Sequence, residues 1–126
     1  MKKIIALLGI AVLSISCGKK EKTVSATANV SPEELLVIEG KALFESNRAA
    51  CASCHKPNQK IIGPSIKEIV KVYEEQNGDM IAFLKKKAKP IVDPEQYSVM
   101  ETNFAILKTM TDRELESLVA YMYSEK

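Results

Sequence analysis

Five consecutive residues constrain this 126-residue chain more than anything else in it: Cys51-Ala52-Ser53-Cys54-His55 gathers two of its three cysteines and its only histidine. In a helical turn, residues three apart share a face, so both thiols would project together with the imidazole directly beside them. Whatever fold the chain adopts must present this cluster to something, and the surrounding sequence narrows what that is.

Those surroundings read as helix. Ser31-Pro32-Glu33-Glu34 is a helix start, with Ser31 as N-cap, Pro32 at the first helical position and Glu34 closing a capping box. Leu35, Leu36, Ile38, Ala42 and Leu43 predict a broad apolar face running to about Ser46. The stretch from Arg48 to Gln59 is short and polar, and Ile62-Gly63-Pro64 is a turn that interrupts any helix.

Ile66, Ile69, Val70 and Tyr73 then fall at helical spacing from Ser65, and Asn77-Gly78 closes that helix as a left-handed C-terminal residue does. Asp79 caps a third, shorter helix with Met80, Phe83 and Leu84 on one side. Lys85, Lys86, Lys87 and Lys89 crowd its end, complementing the helix dipole. From Pro90 to about Asn103, two prolines and the absence of a sustained period predict a loop with at most a turn or two of helix, the kind of segment that tends to carry function. Thr111-Asp112-Arg113-Glu114 is a second capping box, and Leu115, Leu118, Val119 and Met122 form the inner face of the last helix. No strand alternation and no internal repeat competes, so the expected fold class is all-α.

The N-terminus is read as processed. Met1-Lys2-Lys3 and the apolar run Ile4 to Leu13 form a secretory signal over residues 1–16, too short to span a bilayer, for which about 20 apolar residues are needed. Leu13-Ser14-Ile15-Ser16-Cys17 resembles a bacterial lipobox, with its leucine four rather than three residues before the cysteine. The resemblance implies a lipid on Cys17. Residues 17–30 are polar with little to bury and are expected to form a flexible linker, leaving 31–126 as one domain. Once Lys2 and Lys3 leave with the signal, basic and acidic residues balance, and nothing resembles the basic footprint of a nucleic-acid binder.

Against that background the pentapeptide is best read as C-x-x-C-H, the attachment sequence of a c-type haem. The two thiols reach the vinyl groups on one edge of the porphyrin as thioethers, and the imidazole of His55 turns to the iron. A closed zinc site needs four protein ligands, but the chain has no second histidine and Cys17 lies across the polar linker. A thioredoxin-like pair belongs in a βαβ pattern, which is missing. A plain structural disulfide is the remaining competitor.

With these features together, the region from about Ser31 to Glu125 resembles the small bacterial class I cytochromes c. Gly40 and Phe44 on the first helix and Tyr121 on the last match positions at which family members cross their terminal helices. The resemblance implies the cytochrome c fold, about four to five short helices around one covalent haem. It also implies that the Pro64 carbonyl accepts the other ring N–H of the axial His55, fixing its tautomer. With no second histidine, methionine is the expected sixth ligand. Met80 and Met122 complete helix faces, and Met110 precedes an N-cap where it can staple against Leu115. Met100 lies in the loop where the family places its ligand, which leaves it first and Met110 its main rival. Tyr97 and Phe104 either flank the haem or serve as ordinary core aromatics. The lack of tryptophan departs from many relatives and leaves a haem-propionate partner unidentified.

A six-coordinate iron has no open position for a small-molecule substrate, so the implied task is electron transfer, not catalysis. The expected setting is the periplasm, with the domain tethered to a membrane by its lipid. Expected partners are redox proteins, such as an oxidase or a quinol-oxidising complex, met through a small transient interface which Lys56, Lys60 and Lys108 would ring. Attachment of haem requires reduced thiols in a compartment that favours disulfides, so a thiol-reducing maturation system is implied. The alternative is a weak or missing methionine bond, leaving iron open for a peroxidase-like or gas-binding role.

Overall fold

The computed structural model describes residues 30–126. The expected signal at 1–16, the lipid-bearing Cys17 and nearly all of the 17–30 linker lie outside the described residues. Among those described there are six α-helices and no extended strand: α1 (Pro32–Glu45), α2 (Ile66–Glu75), α3 (Met80–Leu84), α4 (Tyr97–Glu101), α5 (Phe104–Leu107) and α6 (Asp112–Ser124). Short 3-10 turns occupy Cys51–Ser53 and Pro94–Gln96.

The helix starts follow their caps. Ser31 Oγ accepts from the Glu34 N–H at 3.1 Å while the Glu34 carboxylate accepts from the Ser31 N–H at 3.0 Å. Thr111 and Glu114 repeat the exchange at 3.3 and 2.8 Å. Ser65 accepts from the Glu68 N–H at the start of α2, and Asp79 from the Ala82 N–H at the start of α3. Asn77, with φ 49°, is the left-handed residue that stops α2.

The frame is the crossing of α1 and α6. A Cβ on Gly40 would lie 1.8 Å from the Ser117 carbonyl oxygen and 2.9 Å from Tyr121 Cβ, so the two backbones touch at a point that admits no side chain. One turn on, Phe44 meets Tyr121 edge to face with centroids 5.2 Å apart, an arrangement worth about 1 kcal/mol beyond the area it buries. This contact corrects the stripe expected on α1. The inward face runs through Val37, Gly40 and Phe44, whereas Ile38 is 56% exposed and Ala42 also faces solvent. The crossing through Gly40, Phe44 and Tyr121 is the one the resemblance implies; counting apolar side chains alone misses it, because a helix face is set by its point of closest approach, and here that point is a glycine.

Ile66 and Val70 of α2 and Leu118 of α6 are wholly enclosed, and Met80, Leu84, Phe104 and Leu107 complete the core. The segment from Pro90 to Asn103 contains a 3-10 turn and the single-turn α4, the turn or two of helix expected there. The short α5 follows because Phe104 and Leu107, three apart, both point into the core. These one-turn pieces account for six helices where four to five were expected. No helix among the described residues is long and apolar enough to cross a membrane.

Candidate functional site

The pentapeptide follows a sharp exit from α1. The Ser46 N–H donates to the Leu43 carbonyl, and Ala50 takes the left-handed conformation with φ 55°, at a cost of about 1 kcal/mol for a residue with a Cβ. The chain then coils tightly: the Cys54 and His55 N–H groups both donate to the Cys51 carbonyl, at 3.1 and 3.0 Å. Cys51 and Cys54 are half-buried free thiols, not joined to each other. Burial pushes the Cys51 thiol up to about 11, so it stays protonated at neutral pH.

His55 is held from two directions. Its Nδ1 lies 2.7 Å from the Pro64 carbonyl oxygen. A carbonyl only accepts, so Nδ1 carries a proton, and in the neutral ring this leaves the lone pair on Nε2. The loop that brings Pro64 back is tied by the Gly63 N–H to the Cys54 carbonyl at 2.8 Å, the Ile66 N–H to the Lys56 carbonyl at 2.9 Å, and a backbone bridge between His55 and Lys60. A Cβ on Gly63 would stand 2.5 Å from His55 Cε1. The glycine backbone therefore lies against the imidazole and limits its tilt. From sequence Gly63 was legible only as a turn residue; its spacing from His55 carries no pattern that would reveal this contact.

Cys51, Cys54, His55, Pro64 and Met100 line one cavity that holds about 1160 Å³ of non-protein space, counting the part open to solvent. Its wall is apolar, with Ile69, Tyr73, Leu84, Ile91 and Leu118 contributing, and Asp93, Gln96, Thr102 and Asn103 supply a small number of polar side chains. Among the described residues no group of three or more His, Cys, Asp or Glu gathers to hold a metal ion. Two thiols one turn apart, an imidazole with a free Nε2 and a broad apolar cavity fit a large flat macrocycle carrying its own metal.

The methionines separate by location. Met110 is buried and lines a different cleft together with Leu115, in line with the staple expected from sequence; it does not line the cavity of the motif. Met80 and Met122 reach the cavity wall from α3 and α6 but are only 4% and 8% exposed, as residues of the core. Met100 is half-buried on α4 and lines the cavity with His55.

The aromatic pair divides. Tyr97 lines the cavity, whereas Phe104 does not; it packs behind, 6.0 Å from Tyr97 and 5.6 Å from Phe83 by ring centroids. Lys56, Lys60 and Lys108 all lie on the surface and none lines the cavity. Ile62 and Val99, both about half exposed, line it instead. Two side-chain bonds join the Met100 segment to the motif side: Lys60 to Asp93 at 3.2 Å, and Asn103 Nδ2 to the Ala49 carbonyl at 3.4 Å. Neither was foreseen, since nothing local in sequence pairs residues 33 and 54 positions apart.

Comparison with known proteins agrees with this geometry. The family model described as cytochrome c matches residues 37–126, from within α1 to the end of the chain. No curated protein matches the chain.

Proposed function

Because the chain belongs to the cytochrome c family of haem-based electron carriers, we propose that it is a class I monohaem member, a lipid-tethered carrier of single electrons between respiratory redox proteins outside the cytoplasm. When bound, the haem supplies one chemistry, the reversible gain and loss of an electron at iron. Cys51 and Cys54 would hold it as thioethers, His55 would bind the iron through Nε2, and Met100 would complete the sphere. Cys17 would carry the lipid, and residues 17–30 would form the leash.

The observation that carries this reading is the His55 to Pro64 hydrogen bond. It leaves Nε2 as the free ligand atom and makes the imidazole a stronger donor to a metal. The apolar wall supports the electron-carrier role in a second way, because it disfavours the added positive charge of the ferric state. With a thioether ligand, which favours ferrous iron, this sets a high potential for the family's chemistry. A carrier near the terminal end of a respiratory chain follows. The half-exposed Ile62 and Val99 at the cavity support a small, transient contact with partners, and a flexible tether would raise the effective concentration of the domain near membrane-bound ones.

The test is the spectrum and redox titration of the protein matured in cells that attach haem c. The oxidised protein is expected to show the weak near-infrared sulfur-to-iron band, and Met100→Ala to lose it while keeping its covalent haem. A high-spin oxidised spectrum in the native protein would favour an open sixth position, and a strongly negative midpoint would rule out the terminal-chain placement.

A further inference from the structure

The segment that carries Met100 has little to hold it in place by itself. α4 is a single turn of five residues, too short to be stable alone, and Pro94, Glu95, Gln96, Ser98 and Val99 around it are exposed. Its start, however, is fixed by one side chain used twice. Asp93 Oδ1 accepts from the Gln96 N–H at 3.3 Å and so begins the 3-10 turn that leads into α4. Asp93 Oδ2 accepts from Lys60 Nζ at 3.2 Å. Lys60 is in turn bridged through its backbone to His55. A path of contacts therefore runs from the His55 backbone, through Lys60 and Asp93, to the turn that leads into the helix bearing Met100. Asp93 itself lines the cavity, and its side chain is only 24% exposed.

We propose that the Lys60–Asp93 ion pair is a latch that holds the Met100 segment closed over the histidine side of the cavity, and that both residues are positioning residues for the sixth ligand. The inference rests on the reading that Met100 is that ligand. The latch acts on local opening and not on global unfolding, because the bonds it secures belong to a segment with few buried contacts, while the core lies elsewhere. An added small ligand such as imidazole reaches ferric iron only when Met100 has left. Its apparent affinity is the intrinsic affinity scaled by the open fraction. Weakening the latch raises that fraction.

The test is imidazole binding to the ferric, haem-loaded protein, followed by loss of the sulfur-to-iron band. Lys60→Gln and Asp93→Asn each remove the ion pair, and Asp93→Asn keeps an oxygen for the Gln96 N–H. Each is expected to tighten apparent imidazole binding roughly two- to fivefold, the range of an exposed to partly buried pair. The double variant, Lys60→Gln with Asp93→Asn, is expected to go no further than the stronger single. Lys126→Gln breaks a comparable surface pair with Glu74, neither of which lines the cavity, and is expected to change nothing. Global unfolding of the haem-loaded variants should stay near native, which a merely structural role would not allow.

Native imidazole affinity in both single variants, or effects that simply add in the double, overturns the latch. If instead Met100→Ala keeps the sulfur-to-iron band, the ligand assignment is wrong and the latch falls with it; loss of that band alongside unresponsive Lys60 and Asp93 variants overturns the latch alone.

Discussion

The crossing of α1 with α6 and the segment from Asp93 to Asn103 are built on opposite principles. At the crossing, two long helices, each closed by a capping box, meet where Gly40 lies against the Ser117 carbonyl, with Phe44 and Tyr121 stacked edge to face beside it. Nothing there can move without a clash or a void. The Asp93–Asn103 segment has no residue in the fully buried class, and its ties to the motif side are polar: the Lys60–Asp93 pair and the Asn103–Ala49 hydrogen bond. The crossing determines which fold forms. The segment determines what stands beside the metal, and being weakly held it is the part that opens at low cost.

The largest expected effect is at the crossing. Gly40→Val sets side-chain atoms against a backbone oxygen that cannot retreat, and is expected to cost at least about 3 kcal/mol, seen as a lost or sharply lowered denaturant midpoint. A native midpoint would erase the contrast between the two regions. Next, Gly63→Ala forces the His55 ring away from its present tilt and is expected to cost about 1–3 kcal/mol. In the haem-loaded protein it should raise the high-spin fraction of the oxidised spectrum, whereas Gly40→Val should act through unfolding alone. Thr111→Ala removes one side of the α6 capping box and should lower stability by about 1 kcal/mol without touching the spectrum.

The smallest effect is a pH dependence at the edge of the crossing. Hydrogen bonding from Arg48, then from the Thr111 backbone, lowers the Glu114 carboxyl from its ordinary 4.5 to about 2. A carboxylate depressed in the folded state contributes stability that is fully present above its unfolded value and is lost as pH falls through the folded one. Acid unfolding of the native protein should therefore steepen between pH 4.5 and about 2. Glu114→Gln should be flatter across that window, and identical slopes would show that the pair contributes nothing there.

How much of this was legible beforehand follows the same division. Ser31, Ser65, Asp79 and Thr111 announce their helices because a cap is a local event, decided by a side chain and an N–H three residues on. The pentapeptide and the Pro64 partner of His55 were equally plain, the first from its spacing and the second from family resemblance; the structure brings them together. The crossing at Gly40, Phe44 and Tyr121 was legible from family resemblance, whereas apolar spacing put Ile38 and Ala42 on the inward face of α1, because the partner helix lies more than seventy residues away in sequence and the point of contact is a residue with no side chain. The role of Gly63 against the imidazole and the pairing of Lys60 with Asp93 were hidden for the same reason. Each is a meeting of distant segments, and only the closed fold brings them into contact.

The central claim is that two neighbouring sulfurs and the adjoining imidazole together hold a single metalloporphyrin. It is tested most directly by the mass of the intact purified protein after denaturation, read with the pyridine haemochrome spectrum. The account predicts one haem's mass added to the polypeptide, lost from a variant in which both Cys51 and Cys54 are replaced by alanine. A polypeptide of unmodified mass and no colour, from cells competent to attach haem, would contradict it.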